Sequence, residues 1–277
     1  MTGAKSPEQA QSPDRATWYR EIAPPPEVAD CVLSLWLMQV PLLPGPTKVR
    51  ILPNACVDIV VYRSDPSRGE GAAAIVAPPR RSYVVGSTLR DFVVRSIGWR
   101  HVIGASLRPE GVQPLLGLPA AIIGDRVALL DDVIGPAAGT IEDRVLSAAP
   151  ERSLEMLGEI LVERRRASAP PNALTERAVR SVRRARGRLR IDALAAELNL
   201  SPRQLERHFL THVGLSPKLF SRLVRFDRAV RHLATRGTAT WADFASAHGY
   251  ADQAHFINEF REFAGVPPEE FERESDK

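Results

Sequence analysis

The last third of the chain states one pattern twice. With an offset of 51, Ser201 meets Asp252, Leu205 meets Phe256, Phe209 meets Phe260, Gly214 meets Gly265, Pro217 meets Pro268 and Phe220 meets Phe271. Ahead of these the offset is 50, with one residue added at Ala251, and Ile191, Leu194 and Ala195 meet Trp241, Phe244 and Ala245. Every matched position is a cap, an apolar residue, a glycine or a proline. What repeats is therefore one supersecondary unit, and the second half of the fold must hold two copies of it.

Each copy reads as a helix-turn-helix. In the first, a short helix over 192–198 turns Leu194, Ala195 and Leu198 inward, with Ala195 small where a second helix crosses. Asn199 tolerates a positive φ, and Leu200 plugs the core under the turn. Ser201 caps the next helix, Pro202 suits its first position, and Gln204 completes a capping box. Leu205 and Phe209 bury the inner face, which leaves Pro202, Arg203, Glu206 and Arg207 outside and Gln204 partly so. Gly214 ends the segment and Pro217 opens another helix. In the second copy Trp241, Phe244, Ala245 and His248 form the first helix, Gly249 the turn and Tyr250 the plug. Asp252 caps the second helix, whose core stripe is Phe256, Phe260 and Phe263. Gln253, Ala254, Ile257, Asn258 and Arg261 stay exposed or marginal.

A helix over 217–235 separates the copies, with Leu219, Phe220, Leu223, Val224, Val230 and Leu233 on its apolar side. Its 19 residues span roughly 29 Å, close to the ~34 Å repeat of the major groove. A repeat built to bind protein needs no such separation, though it tolerates it. Charge agrees with the nucleic-acid reading. The formal balance is +4, yet residues 1–171 hold 19 basic and 19 acidic groups, 172–236 hold 15 and 5, and 237–277 hold 3 and 9. A local excess of arginine attracts a phosphate backbone with a pull that weakens in salt. The plainer alternative is a solvated arginine-rich surface.

Over residues 190–273 the chain resembles the AraC/XylS-type DNA-binding domain of bacterial transcription regulators. The matching stretches are IDALAAELNLSPRQLERHFLTHVGLSPKLFSRLVRFDRAVRHL and WADFASAHGYADQAHFINEFREFAGVPPEEF. The turn GY, then HF, FREFAG and VPPEEF carry the more specific half of the resemblance. It implies two helix-turn-helices joined by a central helix and bound to double-stranded DNA. It places DNA contacts at Arg203, Gln204, Glu206 and Arg207 in the first copy, and at Gln253, His255, Asn258 and Arg261 in the second. The family's basic residue beside the second-copy phenylalanine is met by Arg261. Arg207 holds a common base-reading place, but its counterpart in the second copy is Asn258. Glu259 and Glu262 then make that helix less cationic, so the first copy is expected to attract phosphate more strongly. The second reads weakly or through Gln253 and Asn258, whose amides pair with adenine edges, unless both are merely solvated.

The first half has a different texture. Short β runs at 31–43, 48–52, 57–62, 74–76, 83–85, 92–97 and 101–107 alternate with proline and glycine breaks, which suggests a sandwich or barrel, or a twisted sheet with an open face. From Pro109 the pattern turns helical: short helices are expected over 110–116, 127–134 and 141–146. A stronger one over 153–166 has Leu154, Leu157, Ile160 and Leu161 on one face, and another runs over 175–186. ILPNACVDIVVY and GASLRPEGVQPLLGLPA resemble, less specifically, the β-rich effector or unknown-function domains that precede such DNA-binding domains. In better-known relatives a cupin-like barrel holds a small ligand. A metal cupin is not expected, because His101 is the only histidine before residue 208.

Catalysis is not expected either. Residues 1–171 contain no GxSxG, P-loop or HExxH. Cys31 and Cys56 sit in apolar runs as buried, inert thiols, and neither has the PCHR context of the repair methyltransferases fused to this DNA-binding module. Cys56 and Asp58 alternate to one face but make no triad, and Asp131 and Asp132 read as a helix cap or surface pair.

The expected fold is α+β. A leader over 1–16 is disordered, and a β-rich regulatory or sensor domain spans 17–168 with trailing helices. A linker over 169–174 leads to the DNA-binding domain at 175–277, with helix-turn-helices at 191–211 and 240–263. The expected function is sequence-specific DNA-binding transcription regulation controlled by a small effector, with Trp36, Tyr62 and Trp99 lining its pocket. A first domain that only dimerises or docks protein is the alternative, and an enzyme fused to a DNA reader is a distant third. A homodimer, and RNA polymerase if the protein activates, are the other expected partners. No cofactor, metal or membrane partner is expected, and the absence of an apolar leader or an eighteen-residue apolar run points to the cytoplasm.

Overall fold

The computed structural model describes residues 18–39, 47–64, 81–96, 99–233 and 235–275. The expected leader and the β run at 74–76 lie outside them.

In chain order the first half comprises β1 (Trp18–Ile22), β2 (Val32–Gln39), β3 (Thr47–Ile51), β4 (Val57–Ser64), β5 (Ser82–Val85), β6 (Phe92–Ser96) and β7 (Trp99–Leu107). Then come α1 (Pro109–Leu116), α2 (Ala120–Ile123), β8 (Val127–Leu129), α3 (Leu130–Ile134), α4 (Ala137–Ser147) and α5 (Pro150–Arg166). The second half is all helix: α6 (Ala173–Arg184), α7 (Ile191–Glu197), α8 (Pro202–His212), α9 (Pro217–Leu233), α10 (Trp241–His248), α11 (Gln253–Ala264) and α12 (Pro268–Ser275). No helix among the described residues is long and apolar enough to cross a membrane.

Six strands form one antiparallel sheet in the order β1-β2-β7-β4-β5-β8, while β3 and β6 make a separate antiparallel ribbon. Alternation along the strands sorts side chains between two faces. Leu35 and Leu37 of β2 lie opposite Ala105 and Ile103 of β7, which also face Ile59 and Val61 of β4. All six are buried, and with Val145, Leu154, Leu157, Ile160 and Leu161 they form the first core. Each large aliphatic so buried contributes about 1.5–3 kcal/mol. The apolar stripe expected on the helix over 153–166 is thus the one that α5 lays against β2 and β7.

A second core gathers Val179 and Val182 of α6 with the inward faces of α7 to α11. It also takes in Ala55, with Leu52 and Leu89 packed against it, so the first half supplies part of the wall. Polar contacts reinforce this seam. Arg183 Nη2 donates to Ala55 O at 3.2 Å, and Arg50 Nη1 donates to Ala264 O at 3.0 Å and to Asp91 at 2.6 Å. The Asp91 N–H donates to Phe263 O at 2.9 Å. Gly214 takes φ +81° against the backbone of Ala121, where a Cβ would approach to 3.2 Å.

Two helix expectations need correction. The segment 127–134 is a strand followed by a single helical turn. Val127–Leu129 pairs with β5, Tyr83 opposite Leu129, so the free edge of the sheet overrides local propensity. The helix expected over 175–186 runs Ala173–Arg184, because Asn172 is its N-cap: Oδ1 accepts from the N–H groups of Leu174 and Thr175, each at 3.0 Å.

Candidate nucleic-acid interface

The two copies of the repeat fold alike, down to the bond that closes each turn. Leu200 N–H donates to Ala195 O at 2.9 Å, and Tyr250 N–H to Ala245 O at 3.0 Å. Each bond follows a residue in left-handed conformation, Asn199 at φ 56° and Gly249 at φ 82°. Asparagine tolerates this region with a local side-chain bond, and glycine enters it freely. At Gly249 a side chain would also collide with Arg188, whose guanidinium donates to Ala247 O at the end of α10.

Caps then fix where α8 and α11 begin. Ser201 Oγ accepts from Gln204 N–H at 3.3 Å, and Gln204 Oε1 accepts from Ser201 N–H at 2.8 Å. Asp252 accepts from His255 N–H at 2.7 Å. Leu205 and Phe209 of α8, and Phe256, Phe260 and Phe263 of α11, are buried. Both helices rest on α9, with Phe209 5.8 Å from Phe220 and Phe226 5.3 Å from Phe260, ring centre to ring centre.

Arg203, Gln204, Glu206, Arg207, Gln253, His255, Asn258 and Arg261 are all exposed. Two of them are less free than the pattern suggests. The carbonyl of Gln204 is committed to the cap, leaving only its amide NH2 to donate outward. His255 Nδ1 accepts from Ala251 N–H at 3.3 Å, so its proton sits on Nε2, 3.9 Å from Glu259.

The charge of α11 must be corrected. Glu259 is not a surface charge: it is 3% exposed and clamped from α9. Arg225 Nη2 donates to its two oxygens at 2.9 and 2.8 Å, and Arg222 Nε donates at 2.8 Å. Arg222 also pairs with Glu262. The same two guanidiniums lie over the rings of Tyr250 and Phe263 at 4.7 and 4.9 Å. These arginines therefore bind α9 to α11, and the acidic groups of α11 are neutralised from beneath.

A histidine pair holds the other end of this unit. His248, 5% exposed, bonds Phe244 O through Nδ1 at 2.8 Å, and its Nε2 stands 3.0 Å from His232 Nδ1. A carbonyl only accepts, so His248 carries its proton on Nδ1 and accepts from His232. Burial holds His248 below the usual histidine range, with Arg228, His232 and Arg188 adding repulsion. The unfolded chain takes up this proton near pH 6.5 while the folded one resists, so acid favours unfolding. The stability advantage of the protein over its His248→Gln variant is expected to shrink between pH 7.5 and pH 5.5 in paired thermal melts. An advantage independent of pH refutes the assignment.

In the first half, Trp36 and Tyr62 share the sheet face opposite the core, beside Met38, Val60, Val85 and Val102. The Trp36 ring lies on Gly104, where any Cβ would stand 2.2 Å from it. Its Nε1 donates to Ser106 Oγ, which donates to the buried Asp58. Trp99 begins β7, but its side chain lies outside the described residues. Cys31 and Cys56 are buried, and burial pushes both thiols up to about 12. Among the described residues no three His, Cys, Asp or Glu side chains gather as a metal site.

Two protein families match the chain: one described as helix-turn-helix domain over residues 194–274, and one as domain of unknown function (DUF6597) over residues 20–128. A curated relative, the HTH-type transcriptional regulator GbdR of Pseudomonas aeruginosa, is 36% identical over 78 residues. That stretch is 28% of this chain and 21% of the relative, so the match spans about a fifth of the relative's length. Similar solved structures include the C-terminal domain of AraT, a response regulator from Geobacillus stearothermophilus, at 24% identity over 37% of this chain and 86% of that one, with TM-score 0.35. ToxT from Vibrio cholerae O395 follows at 12% identity over 82% and 95%, with TM-score 0.45.

Proposed function

We propose, from the helix-turn-helix domain matched over residues 194–274 and its resemblance to the AraC/XylS type, that the protein is a sequence-specific DNA-binding transcription regulator under effector control. The observation that carries the reading is the pair of identically closed and capped turns, each followed by a helix with an exposed polar face. On this reading residues 17–168 regulate and 175–277 bind DNA. The central helix α9 has 17 residues, about 26 Å, which suits two reading helices on one side of a duplex. Arg203 and Arg207 are exposed and have no ion pair among the described residues, so both are available to phosphate or guanine. Asn258 and Gln253 offer amides to adenine, and Arg261 replaces some of the positive charge that α11 otherwise lacks. Trp36 and Tyr62 are the side chains we assign to effector sensing. Trp18 and Tyr19, exposed on the edge strand β1, offer a surface for a homodimer, and activation would add contact with RNA polymerase.

Selection of binding sites from random duplex DNA tests the reading directly. The full chain is expected to enrich one motif with two half-sites about one helical turn apart. Arg207→Ala is expected to lose about 1–3 kcal/mol of discrimination at a single guanine position. An unchanged motif with uniformly weaker binding makes Arg207 a phosphate contact, and enrichment of no motif refutes sequence-specific reading.

A further inference from the structure

The seam between the halves contains a hollow of about 280 Å³ where the start of α1 faces α6. Seven of the side chains around it are charged, and most are already engaged. Asp30 pairs with Arg165, Glu176 pairs with Arg180, and Arg108 Nε donates to Ala29 O. Two are not. Glu110, from the first turn of α1, is only 7% exposed, and its Oε2 is buried with no hydrogen-bond partner among the described residues. Arg183, from α6, uses Nη2 on Ala55 O and Cys56 Sγ, but its buried Nε likewise has no partner. The orphans are of opposite kind: Asp30 Oδ1 and Glu110 Oε2 are acceptors from the first half of the chain, and Arg183 Nε is a donor from the second.

Buried polar atoms are nearly always hydrogen-bonded, so an unpaired one calls for an explanation. Three around one hollow call for a single explanation. Glu110 and Arg183 share the hollow without bonding each other. Burial pushes the Glu110 carboxyl up to about 7, against the lowering pull of its own backbone N–H and of the Arg183 guanidinium. A simple cation would leave Arg183 Nε unsatisfied, and a simple anion would leave Glu110 and Asp30 Oδ1 unsatisfied. The hollow lies at the small end of ligand pockets, which run roughly 300–1,000 Å³.

We propose that this hollow binds a small zwitterion, a free α-amino acid, whose ammonium donates to the Glu110 carboxylate and whose carboxylate accepts from the Arg183 guanidinium. Such a ligand joins the two halves. Arg183 also lies 5.7 Å from the ring centre of Phe220 in the second core and holds Ala55 of the first half, so an occupant sets how α6 sits on α1. This rests on the regulator reading for its consequence, though not for its chemistry: an amino acid that binds a docked and an undocked arrangement unequally shifts the balance between them.

The test is calorimetric titration of the full chain with each of the protein amino acids. Each is compared with a partner lacking one charge, as alanine is with ethylamine and propionate. At least one amino acid is expected to bind and to raise the melting temperature. Its single-charge analogues, and the Glu110→Gln and Arg183→Gln variants, are expected to bind at least about tenfold more weakly. Far-UV circular dichroism checks that each variant is folded, and Glu110→Gln, nearly isosteric, decides the matter if Arg183→Gln is not. Binding of no amino acid, equal binding of the amine or the acid alone, or undiminished binding by Glu110→Gln overturns the proposal. A DNA titration without amino acid is run alongside. Amino-acid binding with no DNA binding refutes the regulator reading and leaves the site standing, and the reverse result refutes the site alone.

Discussion

Arg225→Ala is expected to cost the protein about 3–5 kcal/mol of stability. The carboxylate of Glu259 is 3% exposed, and Arg225 is the side chain that bonds both of its oxygens. Removing the guanidinium leaves a buried negative charge with Arg222 and, at 3.9 Å, His255 as its remaining neighbours. The cost comes from stranding the charge and says little about the net worth of the pair. Arg225→Met combined with Glu259→Leu is accordingly expected to restore most of the loss, since replacing both members of a buried ion pair is often neutral. Urea denaturation of the full chain measures both. A single-variant loss under about 1 kcal/mol would mean that Arg222 alone suffices to neutralise Glu259.

The second large effect is on DNA affinity. Of the 15 basic residues in 172–236, eight already bond protein groups, Arg180, Arg183, Arg188, Arg190, Arg222, Arg225, Arg231 and Arg236, and a ninth, Arg228, is half-buried with its Nη1 sealed from solvent. Arg177, Arg184, Arg186, Arg203, Arg207 and Lys218 remain exposed with no bond or ion pair among the described residues. Six phosphate contacts give a slope of about −5 in log affinity against log salt, so raising salt from 50 to 200 mM is expected to weaken binding roughly 10³-fold. The formal excess of the segment would suggest a steeper slope. Gel-shift titrations on one duplex at several salt concentrations measure it. A slope steeper than about −9 would show that the internal arginines release their partners on binding, and one flatter than about −2 would remove phosphate attraction as the main source of affinity.

The legible parts of this molecule were the local ones. Asn199, Gly249, Ser201 with Gln204, and Asp252 act within four residues of themselves, so their roles are visible in the spacing alone. The burial of Leu205, Phe209 and Phe256 follows from helical period for the same reason. What stayed hidden depends on distant partners. Glu259 stands beside Phe260 as an ordinary helix charge until Arg222 and Arg225, from another helix, draw it inward. Val127–Leu129 has no strand pattern of its own and becomes a strand because β5 offers an open edge. The orphaned Glu110 Oε2 and Arg183 Nε were equally invisible, since an orphan is defined by what fails to reach it. One missed signal was available: Asn172 ahead of an apolar-periodic stretch is an ordinary N-cap.

The end of α11 is finished by the other half of the chain, where Arg50 and the Asp91 backbone take the carbonyls of Ala264 and Phe263. The closing turn of the second reading helix is therefore borrowed, and its owner lies some 170 to 210 residues upstream. A recombination event that carried residues 190–277 onto a new partner would leave that loan unpaid, with two carbonyls opened to water beside Gly265, which has no side chain to cover them. Descendants of such a graft must replace the closure from their new neighbour or accept a looser second reader. The helical half and the β half are thereby tied at two atoms, and chains that change either half are expected to show the repair at these positions first.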